Sequence, residues 1–372
     1  MSWLDDVLKA SRLIKSGGFV AVTHGGTAHA DDTVAAALLR RHGAEAVYRL
    51  NTVEEILEVG GGVVLADIGD AFRDKLPERY AVLDHHGVSD PSEEPSSVVQ
   101  VMYAVGARPT PLVATLIHFL DLFDRYGPGA KRWAGPYGNS LNNGLTKYFS
   151  DFHGVVKDEK FLDLVAEAVY ARLEVDLPAF HEAFKLAERL PYADAAERFP
   201  RTFQNLRLML SAARDPVAAA ATKEAYETGF GVDFGAYAVL AVPELEPYVL
   251  KGLEKYFGDA AKAVELVTSG RYSLLRGDAA VAVAVEDNTP PAPLWNALLD
   301  TGVLSNEPTI IVVRDRRTKG AYTVWRPDRY ASVIDLRRLK GDAVVFKHVT
   351  GFMAVVKAST AEEAAEYALR QL

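Results

Sequence analysis

The sequence predicts an α/β protein: a doubly wound, mainly parallel sheet followed by a smaller α/β C-terminal domain, with an active-site cleft between the two. Three observations lead to this. Strand-length apolar runs alternate with helical stretches as far as Leu83, the pattern of a parallel sheet covered by helices on both faces. Polar residues stand at the ends of three of the four runs, where open α/β sheets bind their ligands. A length of 372 residues, 49% of them hydrophobic, suggests two domains at roughly 100–200 residues each.

Leu4, Val7, Leu8 and Leu13-Ile14 predict a short amphipathic helix at the start of the chain. Two acids and no basic stretch in the first six residues fit neither a secretory signal nor a transit peptide. No run approaches the roughly 18 apolar residues a membrane span needs, so a soluble cytoplasmic protein with no membrane partner is expected. Strands are expected at Phe19–Val22, Ala46–Leu50, Val63–Ala66 and Ala81–Leu83, with helices at residues 33–42 and 53–59 between them. Helices are then expected at Pro111–Tyr126, Phe161–Arg172 and Pro178–Arg189, and again at 215–228 and 246–268. Ala279–Val285, Thr309–Val313, Ala321–Trp325 and Ala343–Phe346 read as strands, and Asn288–Pro293 and Gly135–Ser140 as loops. The expected division is a first domain over 1–190, a helical linker over 191–234 and a C-terminal domain over 235–372.

Composition narrows the chemistry. The absence of Cys removes disulfides, thiolate nucleophiles, zinc ribbons and iron–sulfur clusters. With 41 Lys+Arg against 50 Asp+Glu, the net charge of -9 argues against gripping long nucleic acid by its backbone. It does not argue against a site whose acids hold divalent metals.

Such a site is written at the strand ends. The first strand runs into Thr23-His24-Gly25-Gly26-Thr27-Ala28-His29-Ala30-Asp31-Asp32, the third into Asp67-Ile68-Gly69-Asp70 and the fourth into Asp84-His85-His86-Gly87. A later helix carries Asp121 and Asp124, three apart on one face. Taken singly, each has an ordinary explanation: Asp31 or Asp32 as a helix N-cap, Asp67 and Asp70 as turn residues. Two adjacent imidazoles behind an acid at a buried strand end are harder to explain without a bound partner. Together, the imidazoles and carboxylates form the ligand set of divalent Mn, Mg, Fe or Zn.

These residues resemble the motifs of the DHH phosphoesterase superfamily, and more closely those of the MYG (melanocyte proliferating gene) type of DHH-like exonucleases. Thr23 through Asp31 match that family's T-H-x-G-T-x-H-x-D, Asp67-Ile68-Gly69 its D-x-G, and Asp121 with Asp124 its D-x-x-D. Phe346-Lys347-His348-Val349-Thr350-Gly351-Phe352 match its F-x-H-x-x-G-F. Arg125-Tyr126 stand where the family has Asn-Gly, and Met353–Lys357 where it has Gly-Gly-x-K-T. The resemblance implies one metal held by His24, His29 and Asp67, and a second held by Asp31, Asp67, His85 and either Asp121 or Asp124, with Asp121 favoured. It makes Asp84 the acceptor that orients an imidazole and His86 the group facing phosphate.

The mechanism implied is in-line attack of water at phosphorus, assisted by two divalent ions. The mixed imidazole and carboxylate set suits Mn2+, with Mg2+ or Co2+ as substitutes. Substrate-binding candidates in the C-terminal domain are His348, Lys347, Gly351, Arg316 and Lys357, though the Arg316 turn also reads as a solvated hairpin tip. The expected activity is exonucleolytic hydrolysis of single-stranded RNA or short oligonucleotides. The alternatives are a phosphohydrolase of pyrophosphate or small nucleotides, and a silent binding protein of the same fold.

Overall fold

The computed structural model describes residues 2–88, 90–127, 141–175, 177–215, 233–348 and 350–372. The expected loop at 135–140 and all but the first residue of the expected helix at 215–228 lie outside the described residues. The described chain is α/β, with mixed sheets and many helices, and it divides into two units. The first comprises 1–190 with 208–256, the second 191–207 with 257–372. The zone expected as a linker is therefore shared between them.

In the first unit, helix α1 (Trp3–Ser16) precedes β1 (Phe19–His24), α2 (Ala30–Arg41), β2 (Val47–Leu50), α3 (Val53–Leu57), β3 (Gly62–Ala66) and β4 (Tyr80–Leu83). Helices α4 (Ser97–Val105), α5 (Pro111–Tyr126) and α6 (Asn142–Phe149), strand β5 (Gly154–Val155) and α7 (Glu159–Tyr170) follow. The sheet order is β4-β3-β1-β2-β5, parallel throughout except for the antiparallel edge strand β5. Side chains alternate across a strand, so each strand buries two apolar sets. One set, Val22, Leu50, Val63, Leu65 and Val82, packs with Ile56 of α3 and Phe72. On the other face α2 packs on β1 and β3 and is flanked by α4 and α7. After β1 the chain turns one way to β2, and after β3 the other way to β4. The crevice at the carboxyl ends of β1 and β3 is therefore the topological switch point, where such sheets bind ligands.

Farther along, helices α8 (Phe234–Ala241) and α9 (Glu246–Thr268) complete the first unit, whose boundary falls inside α9. Asp233 caps α8 from a buried position, accepting the Ala236 N–H at 2.7 Å and the Leu141 and Asn142 N–H groups at 2.6 and 3.1 Å. One carboxylate thus joins the starts of two helices. Burial pushes it up to about 7, against the pull of the three N–H donors. Asp233→Ala is expected to cost about 2–4 kcal/mol by leaving those N–H groups unpaired, measured by urea unfolding. Between pH 3.8 and about 7 the folded protein keeps a proton here that the unfolded chain has released. The contribution of Asp233 is therefore full at low pH and fades as pH rises, so the loss should be larger at about pH 5 than at about pH 8.

The second unit carries β6 (Ser273–Arg276), β7 (Val281–Val285), α10 (Pro291–Asp300), β8 (Thr309–Arg314), β9 (Ala321–Trp325), β10 (Val344–Lys347), β11 (Met353–Lys357) and α11 (Ala361–Leu369). Its sheet runs β10-β11-β9-β8-β7-β6, with β7 and β8 parallel and the other pairs antiparallel. Ala282, Ala284, Ile310, Val312 and Val324 face Ala364, Ala365 and Ala368 of α11. Val283, Val285, Ile311 and Val313 form the opposite set with Leu294 and Leu298 of α10.

Two expectations are corrected. The loop read at Asn288–Pro293 ends early, because Pro291 lacks only an N–H that a first helical position leaves unused. Pro178–Arg189 is not one helix but the short turns Leu177–Phe180, His181–Phe184 and Lys185–Arg189. Met353–Lys357, where the family pattern lapses, is a central strand with a buried Ala354-Val355-Val356.

Candidate metal centre

Each strand end delivers its polar residues to the switch point. His24 ends β1, Asp67 follows β3, and Asp84 follows β4. Asp31 and Asp32 lie in the first turn of α2, where unpaired N–H groups favour carboxylates. Asp124 reaches in from the last turn of α5.

Asp67 lies at the middle of the cluster. Its φ of 61° is the one positive value at a non-glycine position among the described residues, a conformation that costs energy and concentrates at functional sites. Its Oδ2 stands 3.2 Å from Nε2 of His24, and its Oδ1 is 3.6 Å from both Nε2 of His85 and Nδ1 of His86. The Ser97 hydroxyl donates to Oδ1 at 3.3 Å. Burial works against ionisation of Asp67, but His24 and His85 outweigh it and hold the carboxyl well below the usual range.

His24 shows which of its nitrogens is available. Nδ1 lies 2.9 Å from the Gly25 carbonyl, which can only accept, so Nδ1 donates there and Nε2 is the nitrogen that faces the acids. Nε2 is also 3.3 Å from Oδ2 of Asp32. His29, half-exposed at the start of α2, places Nδ1 3.3 Å from Oδ1 of Asp124. Nε2 of His85 approaches Oδ2 of Asp124 to 2.5 Å without the alignment of a hydrogen bond. Burial works against a proton on His85, yet the acids Asp124 and Asp67 push the ring up to about 11.

The test of a cation site is what is left unpaired. Both oxygens of Asp31, Oδ2 of Asp32, Oδ2 of Asp67, Oδ2 of Asp124 and Nε2 of His85 are buried without a hydrogen-bond partner. Buried polar atoms are normally satisfied, and these six, though not the only exceptions, come from four acids and one imidazole of the same cluster. Burial, then the nearby acids Asp124, Asp67 and Asp32, push Asp31 well above the usual carboxyl range. The field that favours a proton on His85 and on Asp31 is one that a divalent cation would also satisfy. Three groups have ligand atoms within 4.8 Å of one another: His24, His29 and Asp67; Asp67, His85 and His86; and His29, Asp31, Asp67 and Asp124. Asp67 belongs to all three. The Asp and His groups present could hold a metal ion, and Asp67 would take part in each arrangement.

His86 and Asp84 have a different part. Oδ1 of Asp84 accepts from the His85 N–H at 2.8 Å and faces Nδ1 of His86 at 2.7 Å, while Oδ2 accepts the Asp70 N–H at 3.0 Å. With its acceptors engaged, Asp84 orients rather than ligates. Burial lowers and Asp84 raises the His86 ring, which ends up at about 9. Its other nitrogen is left to donate from a ring that is 54% exposed.

Asp121, favoured as the ligand, is engaged elsewhere. Oδ1 accepts the Ser96 N–H at 2.7 Å and Oδ2 pairs with Arg125 at 2.5 Å. Arg125, the departure from the family pattern, thus occupies Asp121. A spacing of three puts both acids on one helix face, and only packing decides which reaches the strand ends. Asp124→Asn is expected to weaken Mn2+ binding at least about 10-fold. Asp121→Asn should leave affinity unchanged while costing about 1–3 kcal/mol of stability. Calorimetric titration with thermal unfolding separates the two.

The substrate-binding candidates lie in the second unit, where His348, Lys347 and Arg316 have local partners. Nδ1 of His348 pairs with the Thr350 hydroxyl at 2.9 Å, and its ring lies 4.4 Å from that of Phe352. Nζ of Lys347 donates to the Arg337 and Leu339 carbonyls at 3.2 Å. Arg316 donates to the Asn288 carbonyl at 2.8 Å, and Lys357 is exposed at the end of β11. Gly351 has φ of 69°, and a Cβ there would meet Oδ1 of Asp335 at 2.3 Å. Sequence reasoning passed over Arg49 and Ser97, since neither lies in a motif.

A scan against protein-family models finds none that matches this chain, and a search of curated proteins finds no match.

Proposed function

We propose that the chain is a divalent-metal-dependent phosphodiesterase of the DHH type, an exonuclease acting on single-stranded RNA or short oligonucleotides. One observation carries the reading: buried carboxylate and imidazole atoms without hydrogen-bond partners gather around Asp67 at the switch point of a parallel sheet. His24, His29 and Asp67 would hold one ion, and Asp31, Asp67, His85 and Asp124 the other, with Mn2+ suited to this mixed set. Such ions, when bound, lower the pKa of coordinated water and stabilise charge at phosphorus.

The chain's own residues do the rest. Asp84 orients the ring of His86, which donates to a non-bridging phosphate oxygen. Nδ1 of His24 stays protonated against the Gly25 carbonyl, which keeps Nε2 available as a ligand. The excess of acids, net -9, favours a short or end-bound substrate over a long duplex.

Incubation with Mn2+ and a 5′-labelled single-stranded RNA should give a ladder of shortened products. Cleavage of small phosphate esters alone would move the reading to a small-molecule phosphohydrolase. No cleavage of RNA, DNA or phosphate esters with any divalent metal would contradict the enzymatic reading.

A further inference from the structure

We infer that Arg49 is the positioning residue of this centre, clamping the loop that presents His24 and backing Asp32; the inference rests on the metal reading proposed above. Arg49 sits on β2 opposite Thr23 of β1, and among the described residues it is the one basic side chain with no exposure at all. A buried guanidinium is costly unless its donors are met. Here Nη1 donates to the Phe149 carbonyl at 2.7 Å, and Nη2 to the His24 and Gly26 carbonyls at 2.9 and 3.3 Å. The guanidinium also lies over the Phe149 ring, 4.6 Å from its centre.

These contacts tie three pieces together: the end of β1, the loop after it, and the end of α6. A parallel tie runs from the Ala28 N–H to the Ser150 hydroxyl at 2.8 Å. The loop between carries His24 at one end and His29 at the other, so its path decides where both imidazoles point. Toward the cluster, Nη2 stands 3.7 Å from Oδ2 of Asp32, which is itself 3.3 Å from Nε2 of His24. Arg49 thus touches His24 twice: through its carbonyl directly, and through its ring by way of Asp32. It also places one fixed positive charge beside the buried Asp32. Lys could supply the charge but not the planar fork that reaches three carbonyls at once.

The test is Mn2+ binding to the full chain, followed by electron paramagnetic resonance, in wild type, Arg49→Lys, Arg49→Met, Asp32→Asn and the Arg49→Lys/Asp32→Asn double variant, with thermal unfolding in parallel. Arg49→Lys is expected to fold, to bind Mn2+ about 10–100-fold more weakly and to change the spectrum of the bound ion. Asp32→Asn should weaken binding in the same direction, and the double variant should lose less than the two losses combined, because the residues act as a unit. If Arg49→Met fails to fold, Arg49→Lys carries the test alone. Wild-type affinity and spectrum in Arg49→Lys, whatever its melting temperature, would show that Arg49 serves the fold only. A wild-type chain that binds no Mn2+ would overturn the metal reading itself, and this inference with it.

Discussion

Asp67→Asn is expected to lower Mn2+ affinity by more than about 100-fold and to abolish metal-dependent cleavage while the chain stays folded. The magnitude exceeds the roughly 10–100-fold typical of groups that only orient ligands, because Asp67 belongs to every candidate ligand group. The amide keeps the shape and can still accept from the Ser97 hydroxyl, so the sheet has little reason to move. What it removes is the charge that faces His24, His85 and His86 at once. Thermal stability of the metal-free protein should fall somewhat, since the amide gives up the ionised carboxylate that the folded state holds against His24 and His85. Calorimetric Mn2+ titration and circular dichroism of the same sample check both halves. Near-wild-type affinity in a folded Asp67→Asn protein would remove Asp67 from the centre.

The second large effect lies away from the cluster. Gly252→Ala is expected to destabilise the first unit by about 3 kcal/mol or more. At this position α9 crosses α6 so closely that a Cβ on residue 252 would lie 1.8 Å from the Gly144 carbonyl oxygen. On the other side, a Cβ on Gly144 would lie 2.7 Å from the Val249 carbonyl oxygen. Both obstacles are backbone, so no rotamer change relieves them and one helix must shift. Helix α6 ends at Phe149, whose carbonyl Arg49 holds, so the shift should also weaken Mn2+ binding. Urea unfolding of the first unit measures the former effect and titration the latter.

Much of this was legible from residues alone. Apolar runs ending in His24, Asp67 and Asp84 pointed to a parallel sheet, and β1 to β4 are parallel. Other features depended on three-dimensional packing. Asp121 and Asp124 share a helix face, and it took the partners Ser96 and Arg125 to tell the acid held elsewhere from the one that faces His29 and His85. Arg49 has no motif around it, and within a strand reading Val47-Tyr48-Arg49-Leu50 it looks like an ordinary outward-facing charge. Its role arises from β1 and α6, which lie 25 and 100 positions away along the chain. Asp32 was visible as a helix cap and does accept the His29 N–H at 2.8 Å, yet its other oxygen turns to His24.

The most direct measurement is anomalous diffraction from crystals of the wild-type protein soaked in Mn2+. Two peaks are expected in each chain, one against His24 and the other against His85 and Asp124, with Asp67 reaching both. No peak at the ends of β1 and β3, or peaks only at surface carboxylates, would contradict the account.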